Sequence, residues 1–95
     1  MREIKRVVIE GHEELRYFDG KSYYRVPKED LVAAVVAQSS VAVSNADIRS
    51  EVSRRWRLAM SSSHIRYHLK ALLDAGAIEQ IGRGLYRAKP QGIFA

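Results

Sequence analysis

Between Ser61 and Gly76, apolar side chains return at Ile65, Leu69, Leu72 and Leu73, and no other feature limits the possible folds so strongly. Residues spaced by three and four fall on one side of an α-helix, and that side must be buried against something. The serines at 61–63 offer a hydroxyl to the first-turn amides. Gly76 stands where a helix readily ends in a left-handed residue. The opposite side carries Ser63, Arg66, Tyr67, Lys70 and Asp74. The expectation is a helix over 61–75 with one buried stripe and a basic, hydroxyl-bearing outer face.

A second amphipathic helix precedes it. Ile48, Val52 and Trp56 recur every four residues, while Arg49, Glu51, Arg54 and Arg55 occupy the other sides. Ser44-Asn45-Ala46-Asp47 has the short polar side chains and the acid that suit a helix start. Arg57–Met60 reads as a connector anchored by Leu58 and Met60. Further upstream, Pro27 suits the first position of a helix, and Asp30–Ser39 is rich in Ala, Val and Leu with almost no charge. That segment reads as a largely buried helix, followed by a loop marked by Ser39, Ser40 and Ser44.

Strands flank the helical part. Ala77–Ile81 and Leu85–Ala88 surround Gly82-Arg83-Gly84, a hairpin whose tip exposes one guanidinium. At the other end, Ile4–Ile9, Leu15–Phe18 and Ser22–Val26 read as strands of a meander. Asp19-Gly20 predicts a two-residue loop, with Arg16 opposite Tyr23 and Leu15 opposite Tyr24. Leu15, Tyr17, Tyr24 and Val26 would then share one face, and Arg16, Lys21, Tyr23 and Arg25 the other.

The fold class expected is therefore α+β: an N-terminal β extension over 1–26, a helical domain with a C-terminal hairpin over 27–89, and a tail over 90–95. Ninety-five residues suit one domain. With no cysteine, disulfides and thiolate metal sites are excluded. The longest apolar run, Leu31–Ala37, is far shorter than the roughly 20 residues that span a bilayer. The first residues show neither an apolar leader core nor a cleavage site, and the expected location is the cytoplasm.

Charge points to a partner. Residues 45–95 hold nine Lys/Arg against four Asp/Glu, a net of +5, whereas residues 1–44 balance at seven of each. An excess confined to one structural unit suits a polyanion. On the helix at 61–75, Arg66 could donate two bonds to a guanine edge, Ser62, Ser63 and His64 could reach bases or phosphate from the first turn, and Tyr67 and Lys70 extend the same face. Arg83 could enter a minor groove or pair with phosphate. Arg49, Arg54, Arg55, Arg57, Arg87 and Lys89 would add sequence-independent attraction.

Residues 30–89 resemble a winged helix-turn-helix domain of the small prokaryotic, especially archaeal, transcription-regulator type. The likeness lies in Asn45-Ala46-Asp47-Ile48-Arg49-Ser50-Glu51-Val52, in the Ser61–Ile78 segment with its Leu72-Leu73-Asp74-Ala75-Gly76-Ala77-Ile78 end, and in Gly82-Arg83-Gly84-Leu85-Tyr86-Arg87. It implies that 61–75 is a recognition helix for the major groove and 82–86 the wing. The connector from Trp56 to Met60 is longer than the tight turn usual in such domains, and residues 1–26 lie outside the family pattern.

The partner expected is double-stranded DNA, with the N-terminal strands offering an edge for a homodimer. Two alternatives stay open. The domain could serve as a protein-interaction module, or it could bind RNA or single strands, with Tyr23 beside Arg16 and Arg25 as a stacking site. His64 and His68 share a helix side, but only His12 remains as a third histidine, so no metal site is expected. Adjacent acids such as Glu13-Glu14 and Glu29-Asp30 do not converge, and no phosphate-cradling glycine loop is present. Neither an enzyme nor a cofactor or small-molecule substrate is expected.

Overall fold

A computed structural model describes residues 3–89, so Pro90–Ala95 and the first two residues lie outside it. The elements run β1 Glu3–Ile9, β2 His12–Phe18, β3 Tyr23–Arg25, α1 Lys28–Gln38, α2 Asn45–Trp56, α3 Ser62–Asp74, β4 Ile78–Gly82 and β5 Leu85–Ala88. They form an α+β arrangement of three helices and two antiparallel sheets, β1-β2-β3 and β4-β5. No helix of the described residues is long and apolar enough to cross a membrane.

The core belongs to the helices. Val32, Val35 and Val36 of α1 meet Ile48 and Val52 of α2 and Ile65, Leu69 and Leu72 of α3. Val43, Met60 and Ile78 close it from the connecting segments and β4. Leu58 and Trp56 pack at its margin, so of the two expected connector anchors Met60 is buried in the core and Leu58 lies against it. No residue of β1, β2 or β3 joins this core.

Helix boundaries follow from local chemistry. Ser44 caps α2 with a reciprocal pair: its hydroxyl accepts from the Asp47 amide at 3.1 Å, and the Asp47 carboxylate accepts from the Ser44 amide at 3.0 Å. Ser61 caps α3 by accepting from the His64 amide at 3.1 Å. Pro27 sits one position earlier than expected, as the residue before α1 rather than its first residue. Arg57 ends α2 in the left-handed region at φ 53°, which turns the chain into the connector.

The segment between α1 and α2 is more than a loop. Val43 and Tyr86 exchange backbone hydrogen bonds of 2.8 Å in both directions, adding a bridging residue to the outer side of β5. In the β4-β5 hairpin Gly82 pairs with Leu85, so the loop is Arg83-Gly84 rather than Gly82-Arg83-Gly84. Only Gly84 needs positive φ, at 70°.

The N-terminal meander differs from its expected register. β2 pairs with β3 as Arg16 with Arg25, Tyr17 with Tyr24 and Phe18 with Tyr23, which leaves a four-residue loop at 19–22. The cause is Asp19, whose carboxylate accepts from the amides of Lys21 and Ser22 at 2.8 Å each. Those two bonds, Ser22's first, hold the Asp19 carboxyl below its ordinary value. A slip of two residues preserves the faces, so Tyr17 and Tyr24 still share a side. β1 and β2 are joined by Glu10-Gly11, both at positive φ, so the second strand starts at His12 rather than at Leu15. The meander leans on the helices through the Tyr17 hydroxyl, which donates to Asp30 at 2.6 Å. A cleft of about 930 Å³ remains between them, lined by Leu15, Trp56, Arg57, Leu58 and His68 among others.

Candidate nucleic-acid interface

The sequence places a buried and an open side on α3, and the structure has both. Ile65, Leu69 and Leu72 are buried, whereas Ser63, His64, Arg66, Tyr67 and Lys70 are exposed. Tyr67 keeps 71% of its surface. No described residue forms an ion pair or side-chain hydrogen bond with Arg66 or Lys70. An exposed guanidinium without an internal acid retains all its donors for an external acceptor.

The first turn of α3 is fixed from α2. Asn45 donates through Nδ2 to the Ser62 carbonyl at 3.1 Å, and Arg49 Nη1 donates to the Ser62 hydroxyl at 3.4 Å. Ser62 is thus half-buried and occupied with positioning the helix, unlike its exposed neighbours Ser63 and His64. Asn45 is the residue whose positioning part was missed. Its place beside the α2 cap suggested only local capping, and its contact is made with a residue seventeen positions away. Arg49 stays exposed and lies beside the first turn of α3.

The other expected phosphate contacts separate into two groups. Arg83 stands exposed at the hairpin tip with no acid paired to it among the described residues. Arg54, Arg55 and Arg87 are engaged within the chain. Glu51 accepts from Arg54 at 2.7 and 3.1 Å and from Arg55 at 2.9 Å, and Arg55 also reaches Gln38. Arg87 pairs with Glu79 directly across β4 and β5. Arg54's hydrogen bonds, then Arg55's, pull the Glu51 carboxyl from an ordinary 4.5 down to about 2. Those three arginines are therefore corrected from open cations to paired ones. An acid at i with bases at i+3 and i+4 is visible in the sequence of α2, and it signals this pairing.

Arg57 departs in position. It lines the cleft against the meander, where the α3 residue is His68 rather than Arg66, Tyr67 or Lys70. His68 lies on the inner side of α3, with Nδ1 3.9 Å from Glu29 of α1. His64, four residues earlier, is exposed, so the two imidazoles have different surroundings. Among the described residues no group of three or more His, Asp or Glu side chains is placed to hold a metal ion.

Exposed cations without an acid partner thus stand on the α3 face with the neighbouring Arg49, and separately at the hairpin tip. The chemistry there is that of exposed donors, guanidinium, ammonium, imidazole and hydroxyl groups, none of them paired with an acid among the described residues. No protein-family model, curated protein or solved structure matches this chain.

Proposed function

We propose that this chain is a winged-helix protein that binds duplex DNA with sequence preference, as a transcription regulator does, with α3 in the major groove and the β4-β5 hairpin on the minor groove or backbone. The observation that carries the reading is the open side of α3. Arg66, Tyr67 and Lys70 point away from a buried stripe, and Arg66 and Lys70 have no internal ion pair or side-chain hydrogen bond among the described residues, while neighbouring arginines on α2 are held by an acid.

Two further features support it. The order helix, bridging residue, helix, helix, hairpin, with Val43 paired to the returning strand, is compatible with a winged helix. The first turn of α3 is locked by Ser61, Asn45 and Arg49, which gives the outward side chains a defined origin from which to read base edges. Arg66 is assigned the bidentate contact to a guanine, and Lys70, one turn on, a phosphate.

Fluorescence anisotropy with a short labelled duplex of random sequence at low salt tests the reading. Binding in the range of roughly 10⁻⁴–10⁻⁶ M, with single strands competing less well than duplex, is the expected result. No binding in that range favours a protein-interaction module, and stronger competition by single strands favours an RNA or single-strand binder.

A further inference from the structure

The three-stranded meander is an incomplete sheet. It contributes nothing to the buried core, yet it carries apolar side chains on both faces: Val8, Leu15 and Tyr24 on one, Val7, Phe18 and Tyr23 on the other. Val8, Tyr23 and Tyr24 retain 69, 51 and 48% of their surface. The molecule measures 43 × 34 × 22 Å with a radius of gyration of 14.2 Å, against about 12 Å for a compact chain of this size. A small sheet with neither face fully covered is marginal by itself.

Its two edges are unlike. β3 has three residues and is closed by Pro27 two positions later, so it offers little backbone for pairing. β1 has seven residues with no proline, glycine or bulge, and its outer side pairs with no strand among the described residues. Its charges already have partners within the sheet: Lys5 lies 3.9 Å from Glu3 and over the Phe18 ring, and Arg6 lies 3.7 Å from Glu13. Across 3–26 the Lys/Arg and Asp/Glu counts are equal, at five each, while the positive excess sits in the remainder of the chain. A second copy can therefore meet this edge without like-charge repulsion, whereas the helical bodies would repel one another.

We infer that the outer edge of β1 pairs antiparallel with β1 of a second copy, joining two meanders into one six-stranded sheet. Symmetry then limits the register. About a two-fold axis normal to the sheet, one residue must face itself, because opposed residues point to the same side. Lys5 or Arg6 at that position would set like charges directly opposite, which is unfavourable. Val7 avoids this and places Val8 opposite Arg6 of the second copy. The resulting dimer carries two copies of α3, matching the two half-sites that a regulator of the proposed kind would read.

The chain has no cysteine, so a single introduced thiol is a clean reporter. Val7→Cys is expected to form a cross-linked dimer under mild oxidation, and Lys21→Cys, in the turn between β2 and β3, is not. Sedimentation equilibrium of the unaltered chain should give a dimer at tens of micromolar. Val8→Lys should weaken that dimer about tenfold by facing Lys with Arg6 twice, with the circular dichroism spectrum unchanged. A monomer at that concentration, equal trapping at positions 7 and 21, or a dimer indifferent to Val8→Lys would overturn the pairing. None of these readouts involves DNA, so their failure is separate from failure of the DNA-binding reading.

Discussion

Val43 and Tyr86 are bound to each other through both backbone directions, at 2.8 Å each way, and this pair fastens the hairpin to the segment between α1 and α2. The hairpin is thus attached to the core at a second point, beyond its covalent link to α3. Val43→Pro removes the amide that donates to Tyr86 and leaves that carbonyl short of a partner. The expected loss is about 1–3 kcal/mol beyond that of Val43→Ala, read by urea denaturation. Equal losses for the two variants would mean that the bridge contributes little.

Ser61 and Ser63 are two residues apart and do different things. The Ser61 hydroxyl caps α3, and Ser63 is exposed on the proposed reading face. Ser61→Ala should lower stability by about 1 kcal/mol. Ser63→Ala should leave stability within experimental error and change only binding to duplex DNA. Thermal unfolding and anisotropy on the same two variants separate the roles.

Glu51 gives a stability contribution with a defined pH window. Its carboxyl titrates near 2 when folded and near 4.5 otherwise, so between those values the unfolded chain binds more protons. The stabilisation is present above about 4.5 and is lost as pH falls toward 2. Denaturation of Glu51→Gln beside the unaltered chain should show a gap at neutral pH that closes across this window. The same substitution frees Arg54 and Arg55 from their acid. It should tighten binding to random duplex and steepen its salt dependence by about two phosphate equivalents at most.

Arg66 and Lys70 are expected to differ in kind. Arg66→Ala should cost about 1–3 kcal/mol on the preferred sequence and much less on random duplex. Lys70→Ala should weaken all sequences alike and reduce the salt slope by about one. Titrations at several salt concentrations distinguish the two patterns.

The helical part was largely legible because its signals are local and agree with one another. The spacing of Ile65, Leu69 and Leu72, and the Ser44–Asp47 and Ser61 caps, specify α2 and α3 within a residue or so. The β4-β5 hairpin was equally visible, although Gly82 proved to belong to its strand rather than to the loop. Legibility failed where one side chain overrides a pattern: Asp19 ties its carboxylate to two amides and widens the loop that Asp-Gly suggested. The Val43–Tyr86 bridge and the Asn45–Ser62 contact join residues far apart in sequence, and no local periodicity encodes them. On the candidate surface, exposure was readable from the helix wheel. Which arginines are already occupied depends on the acids within reach of each guanidinium, as Glu51 and Glu79 demonstrate.

The most direct measurement is selection of binding sites from a pool of randomised duplexes, performed with the unaltered chain and with Arg66→Ala. The unaltered chain should enrich a definite motif containing a guanine, and Arg66→Ala should lose preference at that guanine while retaining the remaining positions. A pool that stays random after repeated rounds, or an identical motif from both proteins, would contradict the assignment of α3 as the reading element.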